Sequence, residues 1–530
     1  MFVKKHGSAI LAAALSAILY YAAFAQFDAP EAAYVFAVPL LLWAFFKPSF
    51  KHYLIATLIS GWVAWFFNII WLSNITWLGT IGLAFILALY YSAWFLVARL
   101  VIIKSANKGL IHRLYDMIAL AAFWVVLEWI RGVVLLRFPW LALAVSQWQR
   151  PILLQIISWT GSYGLSFVLI FFNLGIAYFL ANICNREQTP ISRYLRTTPE
   201  FLLAMVLLLG LIIFSIKQTP KHRKQELLFT AGISQPYILP STHEDSKLSR
   251  ENFMVLQEQT LLLQTLHPDV ILWPEAAVPT AIFDNELGTR KWVEYLCNSI
   301  NIPILFGALA DYQNQGWYNG IFLALPQKGL DKNYYAKRKP VPFGEYVPLR
   351  FLLPFLERVV PGEWDIIPGN NIKPIQLPVR DKIVRIGGLV CYEDVFPDLS
   401  RESVRAGSDV LLVLTNNAWF GEGSGAYQHA AHAALRAVEN RRPIVRCGNG
   451  GWSGWIDEYG NTREVVTNSE NSIYFRGIGK LTVTVDPDWW RRESVFTRHG
   501  NWFAYLCIGI CLPRLLALAF LLFPRQNHIY

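Results

Sequence analysis

Charge is scarce in this sequence. Of its 530 residues only 16% are Asp, Glu, Lys or Arg, against about 25% in an ordinary soluble domain. A wholly soluble chain is excluded by that shortage and by an apolar content of 54%, with 21 Trp and 34 Phe. Zinc-knuckle spacing, a P-loop and a dinucleotide fingerprint are also missing, so no motif calls for a metal or a cofactor. Cysteine pairs are lacking as well. Cys184, Cys297, Cys391, Cys447, Cys507 and Cys511 are scattered, none forms a CxxC, and no disulfide framework emerges. A lone cysteine is either a small core residue or a nucleophile. Cys391 is the one to test, because in "GGLVCYEDVF" (387–396) it stands where an apolar run gives way to acidic residues.

What the sequence does have is long apolar runs near the roughly 20 residues that a helix needs to cross a bilayer. They fall at about 8–26, 33–46, 53–73, 80–103, 117–135, 160–183, 200–216 and 503–523. The first, preceded by Lys4 and Lys5, is read as an uncleaved helix, since further runs follow at once. The fold class expected is therefore a polytopic helical membrane protein of about eight spans carrying an α/β domain. Residues 1–220 hold seven helices, 221–500 the soluble domain, and 501–530 the last helix and tail. The net charge of +10 is read as topology and not as a nucleic-acid surface. Lys4 and Lys5, Lys47 and Lys51, the Arg99–Arg113 cluster, and Arg186, Arg193 and Arg196 alternate with neutral or acidic exits. Positive-inside bias then puts the N-terminus and Arg525 in the cytoplasm and the soluble domain on the far side. Arg131, Arg137 and Arg150, in a predicted outer loop, oppose this orientation. Glu128 and Arg131, three apart, share a helix face, and Arg514 is read as snorkelling from a span end.

In the soluble stretch, apolar strands end in polar groups. "PDVILWPEAAVP" breaks at Pro274 and presents Glu275. "NYYAKRKPVPFGEYVP" offers Lys337 and then Glu345. "IVRIGGLVCYEDVF" breaks at Cys391, and "DVLLVLTNNAWFG" ends at Asn416 and Asn417. Reactive groups collect at strand ends in layered α/β folds. Glu275 would then take the thiol proton of Cys391, and Lys337 would stabilise the sulfur and the oxyanion formed on an attacked carbonyl. A structural Glu–Lys pair beside an inert cysteine fits the same spacing.

These blocks, with "LTNNAWFGEGSGAYQHAAHAALRAVENRRPIVR", resemble the Glu–Lys–Cys signature of the nitrilase superfamily. "KRKPVPFGEYVP", "CYED" and "NNAWFG" resemble in particular the apolipoprotein N-acyltransferase family, and "VVLEWIRGVVLLRFPWLALAVSQW" resembles its membrane region. The resemblance runs over almost the whole chain. It implies an α-β-β-α sandwich on a helical membrane base. Glu275 would be the general base, Lys337 the catalytic lysine and Cys391 the nucleophile, with Glu345, Tyr392 and Glu393 in support. The implied reaction is ping-pong: a phospholipid, typically phosphatidylethanolamine, acylates Cys391, and the α-amino group of a lipoprotein's diacylglyceryl-cysteine takes the acyl chain. No cofactor, metal or nucleic acid is implied. The expected location is the bacterial inner membrane, with a monomer whose catalytic domain is periplasmic. A membrane-tethered carbon–nitrogen hydrolase, in which water resolves the acyl-enzyme, is the alternative.

The sequence departs from the family pattern in "TAGISQPYILP", which has no Trp near residue 239, in Asn417 standing where Asp is usual, and in "RCGNGGWSGWID". His429 and His432, three apart, are read as helix-packing residues, and Glu439, Arg441 and Arg442 as ion pairs. Cys447 is read as a buried small residue, and Trp419 and Phe420 as either pocket or core. The "DPDWWRRESVFTRHGNWFA" stripe is read as a membrane-interface belt.

Overall fold

A computed structural model describes residues 2–24, 28–105, 108–134, 137–184, 198–219, 224–239, 246–278, 280–283, 288–311, 316–347 and 365–522. Arg186, Arg193, Arg196 and Arg525, counted in the topology reading, lie outside them. The chain divides into two compact units. One runs up to Thr219 and resumes at Asn501, and the other ends at Gly500.

The first unit is helical. Its apolar runs form α1 (Phe2–Ala22), α2 (Val38–Phe45), α3 (Phe50–Asn68), α4 (Trp77–Ser105), α5 (Leu110–Val133), α6 (Ser162–Cys184), α7 (Pro199–Gln218) and α12 (Trp502–Leu522). By length and mean hydropathy five of these can cross a membrane: α4, α5, α6, α7 and α12. The run expected at 33–46 gives only the eight residues of α2, after a 3-10 turn at Pro30–Tyr34. At about 1.5 Å per residue such a helix falls far short of the bilayer. Ser49 caps α3 by accepting from the His52 N–H, so that helix starts earlier than its apolar run and stops at Asn68.

Polar groups inside this unit are engaged with one another. Glu128 accepts from Trp124 Nε1 at 2.8 Å and from the Leu143 N–H at 2.7 Å. Arg131, placed in a loop by the sequence reading, lies in the last turn of α5, buried, with its guanidinium 4.9 Å from the Trp65 ring. It therefore does not count as a loop charge against the expected orientation. Arg514 does not snorkel free: its Nε is 2.6 Å from Asp116 Oδ1. A buried carboxylate needs such a partner, and Asp116 supplies the reason for an arginine in an apolar helix.

The second unit is a four-layer α-β-β-α sandwich. One sheet joins β1 (Glu226–Gln235), β2 (Val270–Trp273), β3 (Ile304–Asp311), β4 (Trp317–Leu325), β5 (Gly329–Leu330), β6 (Tyr335–Ala336) and β13 (Gly477–Val485). Its order is β13-β1-β2-β3-β4-β5, with β6 on β4. The other sheet has the order β12-β11-β10-β9-β8-β7, from β7 (Ile375–Val379), β8 (Lys382–Val390), β9 (Val410–Asn416), β10 (Ile444–Asn449), β11 (Gly454–Ile456) and β12 (Thr462–Val465). β2 and β9 are covered on both faces, so they read as unbroken apolar runs rather than alternating ones. Ile233, Leu272 and Leu305 of one sheet meet Val390, Leu412 and Val445 of the other in the central core. Leu256 and Leu263 of α8 (Ser246–Gln264) and Val293 and Leu296 of α9 (Thr289–Ile300) cover the outer face of the first sheet. Helices α10 (Pro397–Arg405) and α11 (Ser424–Asn440) pack on the second. β1 and β2 are parallel, as are β8, β9 and β10. The carboxyl ends of β2, β8 and β9 carry Glu275, Cys391 and Asn416.

Candidate active site

β2 ends because Pro274 cannot continue the ladder. The turn that follows presses Glu275 against β3. A Cβ on Gly307 would lie 2.5 Å from the Pro274 carbonyl oxygen and 2.6 Å from Glu275 Cα, so only glycine permits this approach. Gly307→Ala is therefore expected to destabilise the domain by about 1–3 kcal/mol. Moving Glu275 by an ångström would also slow catalysis by about 100-fold. Thermal midpoint and turnover rate, measured side by side, check the two effects.

Glu275 is buried, and three donors fix it. The Asn416 N–H donates to Oε2 at 2.8 Å, Asn319 Nδ2 to Oε1 at 2.8 Å, and Lys337 Nζ lies 3.4 Å from Oε1. Lys337 follows β6, and its own N–H donates to the Asn319 carbonyl at 2.7 Å. Its ammonium is 2.8 Å from Glu345 Oε1, and the other Glu345 oxygen accepts from the Val341 N–H at 2.7 Å. Burial alone would lower the Lys337 ammonium. The charges of Glu345 and Glu275 outweigh it and hold the group well above its ordinary value. Lys337 is thus a fixed cation and not a base.

Cys391 opens a 3-10 turn, Cys391–Val395, with a left-handed φ of 54°. That region is sparsely used by residues with a Cβ and persists only where the surroundings impose it. Its thiol feels the charges of both Glu275 and Lys337. Burial and the negative charge of Glu275 push the thiol up, while Lys337 pulls it part of the way back. The resting sulfur therefore favours its protonated form.

Glu393 binds the turn to the lysine segment. Its Oε1 accepts from the N–H groups of Arg338 and Lys339 at 2.6 and 3.0 Å. Its Oε2 accepts from the Val390 N–H and the Tyr335 hydroxyl, each at 2.8 Å. Glu393 is fully buried and saturated with donors, so it positions groups rather than reacting. Gly388 belongs to the same joint: a Cβ there would lie 2.8 Å from the Tyr335 ring. Tyr392 donates its hydroxyl to the Pro340 carbonyl at 2.9 Å, and its ring centroid is 5.8 Å from the Lys337 ammonium.

The structure brings Glu275, Lys337, Glu345 and Cys391 together, with Tyr392 and Glu393 holding the frame. The sequence reading passed over Asn319, whose amide bridges Glu275 and Glu345 at 2.8 and 3.2 Å. A polar residue next to Gly320 inside an otherwise apolar strand was its only signal. His429, read as packing, is buried but bonded: Nε2 is 2.9 Å from Asp394 Oδ1 and 3.1 Å from the Cys391 carbonyl. His432 is kept neutral by burial, its imidazole held well below the ordinary range. Glu439 pairs with Arg436 at 2.9 Å, whereas Arg442 donates to main-chain carbonyls, among them that of Ser408. Trp419 is 49% exposed and so is no core residue.

A thiol, a carboxylate and a fixed ammonium at the strand ends of an α-β-β-α sandwich define a carbon–nitrogen hydrolase type of domain. Residues 261–478 match the carbon-nitrogen hydrolase family, and residues 16–175 match the apolipoprotein N-acyltransferase N-terminal domain. The apolipoprotein N-acyltransferase of Geobacter metallireducens is 32% identical over 399 residues, 74% of this chain and 72% of the relative. That of Rickettsia prowazekii is 30% identical over 452 residues, 83% of this chain and 82% of the relative. Among solved structures, an amidase from Nesterenkonia sp. aligns with 54% of this chain and 100% of its own, at 15% identity and a TM-score of 0.38. The chain belongs to the apolipoprotein N-acyltransferase family and is an acyltransferase.

Proposed function

We propose that the chain moves an acyl chain from a membrane phospholipid, phosphatidylethanolamine in the first instance, to the α-amino group of the diacylglyceryl-cysteine of lipoproteins, through a thioester on Cys391. The observation that carries this reading is a cysteine at a strand end, electrostatically coupled to a carboxylate that three donors hold in place and to a lysine kept charged. In the first half-reaction Glu275 takes the thiol proton as sulfur attacks the ester carbonyl. The Lys337 ammonium and the N–H after Cys391 stabilise the oxyanion. As the intermediate collapses, the ester C–O bond breaks and lysophospholipid leaves with the proton from Glu275. In the second half the amine attacks the thioester and Glu275 takes its proton. The C–S bond then breaks and the sulfur regains a proton. Glu345 and Tyr392 keep the ammonium in place, and no cofactor enters.

A helical base suits substrates whose acyl chains cost about 0.8 kcal/mol per CH₂ to move into water. Eight spans are proposed, counting α1, α2 with its preceding turn, and α3 as short or less apolar crossings. Residues 1–220 and 501–530 then form the membrane domain, and 221–500 the catalytic domain. Positive-inside bias favours a periplasmic catalytic domain on a monomer in the inner membrane.

The test is the intact mass of the protein after incubation with phosphatidylethanolamine, with Cys391→Ala as control. The expected result is an added acyl mass on the wild type alone, removed by hydroxylamine and by a diacylglyceryl-cysteine peptide. An adduct cleared as fast by water would make the chain a hydrolase. No adduct on folded protein in lipid would overturn the donor or the nucleophile.

A further inference from the structure

We infer that His429 is a positioning residue for acyl transfer: it orients the Cys391–Tyr392 peptide so that the Tyr392 N–H is directed at the acyl oxyanion. The inference rests on the reading of Cys391 as the nucleophile. His429 sits on α11, fully buried behind the turn. Its Nε2 faces two acceptors, the Cys391 carbonyl at 3.1 Å and Asp394 Oδ1 at 2.9 Å, so this nitrogen carries the ring proton and donates. Its Nδ1 meets the Asn417 amide at 3.0 Å, with Nδ2 donating to it. Asp394 is charged: burial opposes this, but Arg446 and His429 hold its carboxyl below the usual range. Arg446 bonds the second Asp394 oxygen, and both residues are fully buried. The chain Arg446–Asp394–His429, braced on the far ring nitrogen by Asn417, thus ends on one atom of the nucleophile's own backbone.

Peptide planarity makes that contact matter. In a trans peptide the C=O and the following N–H point in opposite directions. With the Cys391 oxygen drawn toward His429, the Tyr392 N–H points the opposite way within the plane. As the second residue of the 3-10 turn it belongs to the donors that the turn leaves unbonded at its start. The left-handed φ of Cys391 makes the orientation one that must be held, and His429 is an outside tie on that carbonyl.

The experiment separates two reactions of the same sulfur. Alkylation of Cys391 by iodoacetamide develops no oxyanion, whereas acylation by phosphatidylethanolamine does. Full-length wild type, His429→Asn and His429→Gln are compared in lipid, with folding checked by thermal midpoint. The glutamine amide reaches the place of Nε2, and the asparagine amide only that of Nδ1. The expected result is that His429→Asn loses about 100-fold in acylation, the scale of a misplaced oxyanion donor, with alkylation within about threefold. His429→Gln should keep acylation within about tenfold. Parallel loss of both reactions, or equal acylation in the two variants, overturns the inference and leaves a packing role. Should His429→Asn not fold, His429→Leu fills the space without a donor and gives the same contrast. A wild type that alkylates but never acylates would instead remove the functional reading itself.

Discussion

Replacing Glu275 by glutamine is expected to slow acylation of Cys391 by at least about 1,000-fold and to change how the thiol responds to pH. The reason lies in the sign of two electrostatic effects. Burial and the Glu275 charge keep the Cys391 thiol protonated well past the ordinary range, and Lys337 offsets them only in part. A free thiolate is therefore scarce at neutral pH, and in the proposed mechanism the proton passes to Glu275 as sulfur attacks. General-base help of this kind contributes about 100- to 10,000-fold. In the wild type, alkylation by iodoacetamide should be nearly flat from about pH 6 to 9. Across that range the thiol still carries its proton, pushed up by burial and the Glu275 charge. In Glu275→Gln no base remains, so the rate should follow the thiolate fraction and rise with pH until the thiol, released from the Glu275 charge, is ionised. The variant keeps an oxygen for the Asn416 N–H but brings an amide NH₂ toward Asn319 and Lys337, so some loss of thermal midpoint is expected as well. A wild-type profile that already rises with pH, unchanged in the variant, would show that Glu275 does not take the proton.

The parts of this arrangement that were legible in the sequence are those where an apolar run stops. Val270–Trp273 stops at Pro274, Ile386–Val390 at Cys391 and Leu411–Leu414 before Asn416. A strand buried on both faces has no alternation to hide its end. The helices α4 to α7 and α12 were legible for the same reason: burial or lipid on every side leaves a continuous run. Contacts that join distant segments were not legible. Asn319 lies in the middle of β4, and only the fold shows that its amide lies between two carboxylates. The close approach behind it was written as Gly320, whose absent Cβ would lie 2.8 Å from the Tyr335 carbonyl. His429 carried no signal, because a histidine on an apolar helix face looks the same whether it packs or donates. Arg131 was misplaced because an arginine near a span end reads as loop, whereas the Trp65 ring and the α5 turn keep it inside. The α2 crossing came out short because Pro39 suits a helix start, and the chain spends the preceding residues in a 3-10 turn.

Lys337→Met should abolish transfer and also weaken the fold, and a second substitution separates the two consequences. The ammonium is 99% buried against Glu345 at 2.8 Å and Glu275 at 3.4 Å. Removing it leaves two carboxylates facing each other across Asn319 with no cation between them. Breaking a buried pair from one side costs about 3–5 kcal/mol, so a fall of roughly 5–10 °C in thermal midpoint is expected. Glu345→Gln added to Lys337→Met removes one of the stranded charges and should restore a large part of that loss, because partners in one network are not additive. Acyl transfer should not return with it. Glu275 would again be held by Asn319 and the Asn416 N–H, but the oxyanion would still lack its cation, a defect worth at least about 100- to 1,000-fold. Recovery of activity together with stability would mean that Lys337 serves only to neutralise its neighbours. No loss of midpoint in Lys337→Met would mean that the buried charges find another partner. The expected split, with stability recovered and transfer still absent, assigns the lysine one task in the fold and a different one in the reaction.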